Sequence, residues 1–421
     1  MCSSDLEEFK MTPIEAVVEH LRTGGMVILV DDEQRENEGD LVIPAQNATA
    51  GAVNFMARHG RGLICVALTD KRADELSLEP MVGPDANTSR HGTSFTVSVD
   101  LKVGTTTGTS AHDRAATVRA LCDPRTRPED LARPGHIFPL RAREGGVLRR
   151  AGHTEATVDL AYLAGFQPMG VLCEIMDEDG SMARLPRLFE ISREFNLPVA
   201  SIQELIRYRR TREKIVTCSA RTVLPTAYGK FELFLYETTY SEESHLALVC
   251  GHVAGRENVL VRVHSSCLTG DALGSLRCDC RYQLNTAMKM VQQEGLGVIV
   301  YLNQEGRGIG LAPKIKAYAL QDQGLDTVQA NIELGFADDE RDYGVGIQIL
   351  KDLGLSSVRL LTNNPKKVDA FIYDGYGLTV TEQVPIEQDP NDYNRRYLET
   401  KKNQMGHRLH KLSRDEAGDR K

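Results

Sequence analysis

Short β-branched runs alternate with helical stretches through both halves of this chain, and that alternation restricts the fold more than any other feature. In the first half MVILV, GLICVAL and SFTVSV read as strands, and DRAATVRAL and ATVDLAYLAG as helices. In the second, LALVCG, VLVRVHS, GVIVYL and VRLLT read as strands, while RYQLNTAMKMVQQEG and PKIKAYALQDQG read as helices. The pattern predicts an α/β class with mixed sheets covered by helices. Between the halves, Ser201 and Glu204 have the spacing of a capping box, followed by an apolar face of Ile202, Leu205 and Ile206. The basic run RYRRTREK then closes the helix, where cations complement the macrodipole. A strand-rich stretch follows, with turns at Leu224-Pro225 and Tyr228-Gly229. Two fused domains of different α/β folds are expected, 1–211 and 212–421, as the 421-residue length allows.

Composition removes several function classes. A net charge of -9 gives no basic surface for nucleic acid, although arginines and helix N-termini can still form a local anion site. Nothing approaches the roughly 18 apolar residues of a membrane span, and MCSSDLEEF lacks the basic and apolar regions of a signal peptide. Nine cysteines, an odd and mostly scattered set, favour a reducing compartment over a disulfide framework. A cytoplasmic protein is expected. No repeat period indicates a solenoid, and the charged tail from His407 reads as frayed.

Two constellations carry chemistry. In the first, DDEQRENEGD places six carboxylates (Asp31, Asp32, Glu33, Glu36, Glu38, Asp40) within ten residues between apolar strands. They repel one another unless something positive sits among them, and the order of a calcium EF-hand loop is missing. Arg149, Arg150 and His153 precede a helix that Thr154 can cap, a ready phosphate site. Ser110 and Asp113 open a second such helix, with Gly108 before it. His153 is either a metal ligand shared with Glu36 or a surface or packing residue.

In the second constellation Cys267, Cys278 and Cys280 cluster within HSSCLTGDALGSLRCDC. Three thiolates leave zinc a fourth position for water, whose pKa then falls to about 7. A closed structural site completed by His264 or His252 is the alternative, and the C-x-x-C spacing of a redox pair is missing. Downstream, QEGRGIGL is neither a P-loop nor G-x-G-x-x-G and reads equally well as a plain turn. LTNNPKKV is a strand end with a proline suited to the first helical position, and it aims N–H groups and Lys367 at an anion or forms a surface turn.

RENEGD, RPGHIFPL, RAGHTEA and CEIMDEDGSMARLP resemble 3,4-dihydroxy-2-butanone 4-phosphate synthase over essentially the whole first half. The resemblance implies conversion of ribulose 5-phosphate to 3,4-dihydroxy-2-butanone 4-phosphate and formate with Mg²⁺ (or Mn²⁺). It places Glu36 and His153 on the metal and Arg35 and Asp40 on the sugar. Arg150, Ala151, Gly152, His153 and Thr154 cradle the phosphate end, and His136 and Glu174 are catalytic. Cys65 either lines the site or, as the safer reading, is a buried, inert thiol. Gln34 stands where the family usually has an acid.

The second half, from about Val216 to His407, resembles GTP cyclohydrolase II in VRVHSSCLTGDALGSLRCDCRYQL, YLNQEGRGIGL, KIKAYALQDQGLDT, FADDERDYGVG and LTNNPKKV. That implies hydrolysis of GTP to 2,5-diamino-6-(5-phosphoribosylamino)pyrimidin-4(3H)-one, formate and pyrophosphate. Zn²⁺ sits on Cys267, Cys278 and Cys280, and Mg²⁺ on the GTP phosphates. Tyr318 and Asp339 are catalytic in the family pattern, and Arg341 is its nucleophile. Because a guanidinium stays protonated, charge stabilisation suits Arg341 better. GTP contacts carry over to Arg262, Val263, His264, Ser265 and Ser266, to Gln283, to Glu305, Gly306 and Arg307, and to Thr327, Thr362 and Lys367. Ser266 and Arg281 depart from the usual glutamate and glycine, and Arg281 adds bulk beside the metal. The resemblance further implies a homodimer or higher homo-oligomer with sites near the subunit interface. Two rival readings are a working synthase whose cyclohydrolase half is a GTP-binding scaffold, and a non-enzymatic zinc-stabilised binding module.

Overall fold

A computed structural model describes residues 10–32, 35–83, 86–89, 93–239, 241–323, 325–326, 329–330, 333–334, 343–365, 367–368, 371, 377–403, 406–409 and 411–413. The chain divides into two compact units, Met1–Arg212 and Glu213–Lys421. No described helix is long and apolar enough to cross a membrane.

The first unit is built on a mixed sheet of seven strands: β1 (Val27–Val30), β2 (Gly39–Pro44), β3 (Arg61–Thr69), β4 (Val99–Leu101), β5 (Leu131–Ala142), β6 (Met169–Ile175) and β7 (Val199–Ser201), in the order β4-β5-β3-β6-β2-β1-β7. Period-two alternation feeds two cores, one on each face. Ile28, Val30, Leu41 and Ile43 enter one, and Val27, Leu29 and Val42 the other. Because both faces are covered, the strands read as continuous apolar runs. Helices Ala50–Phe55, Ala111–Cys122 and Leu185–Phe195 supply the first core, and Ile14–Arg22, His153–Leu163 and Ile202–Arg212 the second.

SFTVSV is not the strand its composition predicts. Phe95 and Thr96 make only isolated bridges, to Leu140 and Pro80, and regular pairing starts at Val99. Thr96 lies against Pro139 of β5, accepted only through the Pro139 carbonyl, and a proline has no N–H to continue a ladder. The cap of the helix after Gly152 also differs from expectation. The helix starts at His153 with extended Gly152 as its N-cap, so Thr154 lies inside the first turn and makes no capping bond. At the other predicted caps, Ser110 accepts from Asp113 N (3.1 Å) and Ser201 from Glu204 N (3.3 Å).

The second unit also has seven strands: β8 (Val216–Thr226), β9 (Gly229–Thr238), β10 (Ser241–Cys250), β11 (Val259–Ser265), β12 (Gly297–Leu302), β13 (Ser357–Leu361) and β14 (Thr379–Val384), ordered β14-β13-β11-β12-β10-β9-β8. Strands β8 to β10 are antiparallel, whereas β12, β11, β13 and β14 run parallel. Helix Cys280–Glu294 packs Ala287, Met288 and Val291 against Phe231, Leu248, Leu260 and Ile299. The tail from His407 is not frayed at its start, since Leu409 and Leu412 bury against Leu398.

Leu29 is fully buried on β1, beside the acidic loop. Leu29→Ala is expected to cost about 2–5 kcal/mol, read from the urea unfolding curve of the full chain.

Candidate active sites

In the first unit the acidic loop joins β1 to β2 at one end of the sheet, between two inner strands rather than at an edge. Asp31, at the end of β1, organises it. Its carboxylate accepts from Glu36 N (3.0 Å) and Glu38 N (2.9 Å) and pairs with Arg35 (2.8 Å), which also reaches Glu36 (2.9 Å). Glu33 and Gln34 lie outside the described residues.

Glu36 Oε2 stands 3.5 Å from Nδ1 of His153, at the start of the buried helix. Asp31, Glu36 and His153 together offer three ligand atoms within 4.8 Å of one another. His153 Nε2 is buried without a hydrogen-bond partner. Two carboxylates and an imbalance of buried charge around one imidazole suit a hard divalent cation. Asp31 thus joins the Glu36–His153 pair that the resemblance implies.

Asp40 on β2 is in register with Glu174 on β6. Burial, then the neighbouring Glu174, Glu36 and Glu38, push the Asp40 carboxyl up to about 7 against the pull of His153. Burial opposes a charged His153, but Asp40, Glu36 and Asp31 outweigh it and raise its pKa to about 9. Glu174 Oε2 accepts from Leu63 N at 2.9 Å. Gly62 permits this approach, as a Cβ there would lie 2.5 Å from the Glu174 carbonyl oxygen.

The same cleft is lined by Arg35, Arg150, Thr154 and Cys65, whose thiol burial pushes up. Ala151 and Gly152 are not in its wall: Ala151 is exposed, and extended Gly152 caps the helix that begins at His153. Arg150 is held by Glu155 (2.6 Å) and Thr93 (3.2 Å). Arg184, to which the motifs assign no role, lines the cleft and donates to the Glu36 carbonyl (2.9 Å). His136 is not in that wall. It is half-exposed and pairs through Nδ1 with Asp100 (2.7 Å), and Gly108 packs against both.

In the second unit the pocket opens at the carboxyl ends of parallel strands, where α/β sheets place ligands. β11 runs into Ser266 and Cys267, β12 into Glu305–Arg307, and β13 into Thr362–Asn364. The three cysteines converge there, with Cys267 and Cys278 sulfurs 3.8 Å apart and all three thiols within 4.8 Å. Gly270 makes room: a Cβ would lie 2.7 Å from Cys278 Sγ and 3.1 Å from Cys267 Sγ. Among the described residues no histidine or carboxylate joins the trio. His252 is exposed, and His264 Nε2 faces Asp271 at 3.2 Å. Neither histidine of the closed-site alternative joins the trio.

Hydrogen bonds from the Cys278 and Cys280 thiols, then Lys314 with its Nζ 3.1 Å from Cys267 Sγ, hold Cys267 well below an ordinary thiol pKa. The same bonding pushes Cys278 up to about 11 and raises Cys280. One thiolate with two thiols at van der Waals range is a donor set that a divalent cation completes by displacing two protons.

Arg262, His264, Ser265, Gln283, Gly306, Arg307, Thr362 and Lys367 line the pocket with the trio. Val263 does not; its side chain enters the core and its carbonyl accepts from Lys367 Nζ (2.8 Å). Gly306 and Arg307 both have left-handed backbone (φ 63° and 65°), so QEGRGIGL is a strained turn shaped around the pocket. Ser266 accepts from Gln304 N (3.1 Å). Tyr318 OH lies 3.3 Å from Thr269 Oγ1, and burial raises its pKa. Arg281 is exposed beside Gly274, outside the pocket wall. Thr327, Asp339 and Arg341 lie outside the described residues.

The geometry thus defines two fused α/β units, each gathering a cation-type cluster and basic anchors in one cleft. Residues 15–208 match the family model of 3,4-dihydroxy-2-butanone 4-phosphate synthase, and 217–385 that of GTP cyclohydrolase II. The chain is 56% identical to riboflavin biosynthesis protein RibBA of Cytophaga hutchinsonii over 405 residues, covering 96% of this chain and 99% of the relative. It is 54% identical to the Aquifex aeolicus RibBA over 407 residues, covering 96% and 99%. A solved structure, RibBX of A. baumannii, described as a two-domain 3,4-dihydroxy-2-butanone 4-phosphate synthase, superposes with a TM-score of 0.70 at 36% identity, over 88% of this chain and all of that one. The chain belongs to the RibBA family, bifunctional enzymes of riboflavin biosynthesis that join these two domains.

Gly270→Ala is expected to cut zinc per chain well below the parent's content after dialysis, measured by atomic absorption, with circular dichroism unchanged.

Proposed function

We propose that residues 1–211 convert ribulose 5-phosphate to 3,4-dihydroxy-2-butanone 4-phosphate and formate with Mg²⁺ or Mn²⁺. Residues 212–421 hydrolyse GTP to the diaminopyrimidine, formate and pyrophosphate with Zn²⁺, Mg²⁺ accompanying the triphosphate. The observation that carries both readings is convergence: in each unit a cluster of ligand-type residues shares one cleft with cationic anchors brought from distant parts of the chain.

In the synthase cleft Glu36 and His153 hold the metal, with Asp31 bracing the loop. Arg150 and the N–H groups opening helix His153–Leu163 bind the phosphate end. Arg35 orients the sugar. Asp40, with its carboxyl near 7, holds or releases a proton opposite Glu174, which the enolisation, dehydration and skeletal rearrangement require. In the cyclohydrolase pocket Cys267, Cys278 and Cys280 hold the zinc. Arg262 and Lys367 anchor the nucleotide, and Tyr318 orients the reacting groups beside Thr269. The metals, when bound, polarise oxygens as Lewis acids and make water nucleophilic near neutral pH.

A homo-oligomer belongs to this proposal. His136 is half-exposed and outside the Glu36–His153 cleft, so a site near a subunit interface would let His136 of one copy serve the cleft of another. Mixing inactive Glu36→Ala and His136→Ala proteins should then restore about a quarter of the parent synthase activity in a twofold dimer; no recovery after subunit exchange counts against it.

The central test assays formate separately from each substrate. Glu36→Ala should abolish release from ribulose 5-phosphate and spare release from GTP, and Cys278→Ser should do the reverse. GTP that binds tightly without turnover in the parent protein would favour the scaffold reading instead.

A further inference from the structure

The wall of the zinc pocket includes a segment beyond the cyclohydrolase match, which ends at residue 385. Tyr397, Lys401 and His407 line the same pocket as the cysteines. Lys401 projects from helix Arg395–Asn403, and its Nζ donates to Asp279 Oδ1 at 2.7 Å, both side chains being at most 10% exposed. Asp279 sits between Cys278 and Cys280 and is the N-cap of helix Cys280–Glu294. Its other oxygen accepts from Gln283 Nε2 (2.7 Å), and Gln283 Oε1 accepts from Arg262 Nη2 (2.5 Å). On the far side of the pocket, Arg408 N donates to the Asn363 carbonyl at 2.9 Å, in the turn after β13. Leu398 and Leu409 seat the segment.

A buried ion pair adds little net stability, because desolvation offsets the attraction, but deleting one partner leaves a costly lone charge. We propose that Lys401 is a positioning residue of the cyclohydrolase site: through Asp279 it fixes the Cys278–Cys280 turn for zinc, while helix Arg395–Asn403 holds that turn and Arg408 holds the nucleotide-side turn at Asn363. The inference rests on the trio being a zinc site. It extends the working pocket to the C-terminal helix and assigns the carboxylate between two ligands the task of holding them at the right spacing. Groups that orient metal ligands in this way affect retention of the metal as well as turnover.

The test uses the zinc-loaded full chain, a chromophoric chelator and parallel GTP kinetics, with ribulose 5-phosphate turnover as internal control. Lys401→Gln is expected to lose zinc about tenfold faster than the parent and to lower kcat for GTP, leaving the synthase reaction unchanged. Asp279→Asn/Lys401→Gln, which leaves no unpaired carboxylate, should retain zinc better than Lys401→Gln alone. Zinc loss at the parent rate in Lys401→Gln overturns the proposal. A double variant as leaky as the single one overturns it too, because lost packing would then be the cause. Should Lys401→Gln not fold, Asp279→Asn gives the same reading, faster zinc loss supporting the proposal and unchanged retention overturning it. A parent protein that binds no zinc would overturn the zinc reading itself.

Discussion

Groups that repel one another when ionised must be assembled before any cation arrives, and both clefts depend on how the chain does this. In the first unit backbone N–H groups of Glu36 and Glu38, with Arg35, satisfy Asp31, so the loop closes around one carboxylate and presents the next to His153. In the second, Gly270 leaves room for the Cys267 and Cys278 sulfurs and the Cys280 side chain, and Lys314 compensates the charge of Cys267. Each cluster is therefore preorganised, and a metal has less reorganisation left to drive.

The sheets decide where these clusters can be. The second unit switches from antiparallel pairing at β10 to parallel pairing at β12, β11, β13 and β14, and its pocket lies beyond the parallel strands' carboxyl ends. Three loops distant in sequence meet there because three strand ends do. In the first unit the end of β1, the start of β2 and the end of β6 meet similarly, which brings Asp31, Asp40 and Glu174 to one side of the sheet.

Much of this was legible in the residues. Alternating apolar runs indicated two α/β units, and the capping box at Ser201 marked the last helix of the first. The trio was visible because its members are close in sequence, within a turn and one helix start. Other features were not. SFTVSV has strand composition, but its neighbour β5 offers a proline where a donor is needed. Thr154 has a capping side chain, yet extended Gly152 takes the cap. Arg184, Lys314, Tyr397 and Lys401 carry no local signal, because each is an ordinary helix or loop residue until packing turns it toward a cleft.

The sequence by itself determined the kinds of group available: six carboxylates in one loop, three thiols around one turn, and the strand and helix periods that must bury their apolar faces. Those follow from covalent chemistry and local backbone preference, which act over a few residues. Only the tertiary structure decided which groups meet. It put Asp40 opposite Glu174, left His136 beside Asp100 outside the cleft, and drew Lys401 onto Asp279 across 122 residues of chain. Strand register and helix docking set such distances, and both are fixed by burying surface over the whole unit rather than by any short segment.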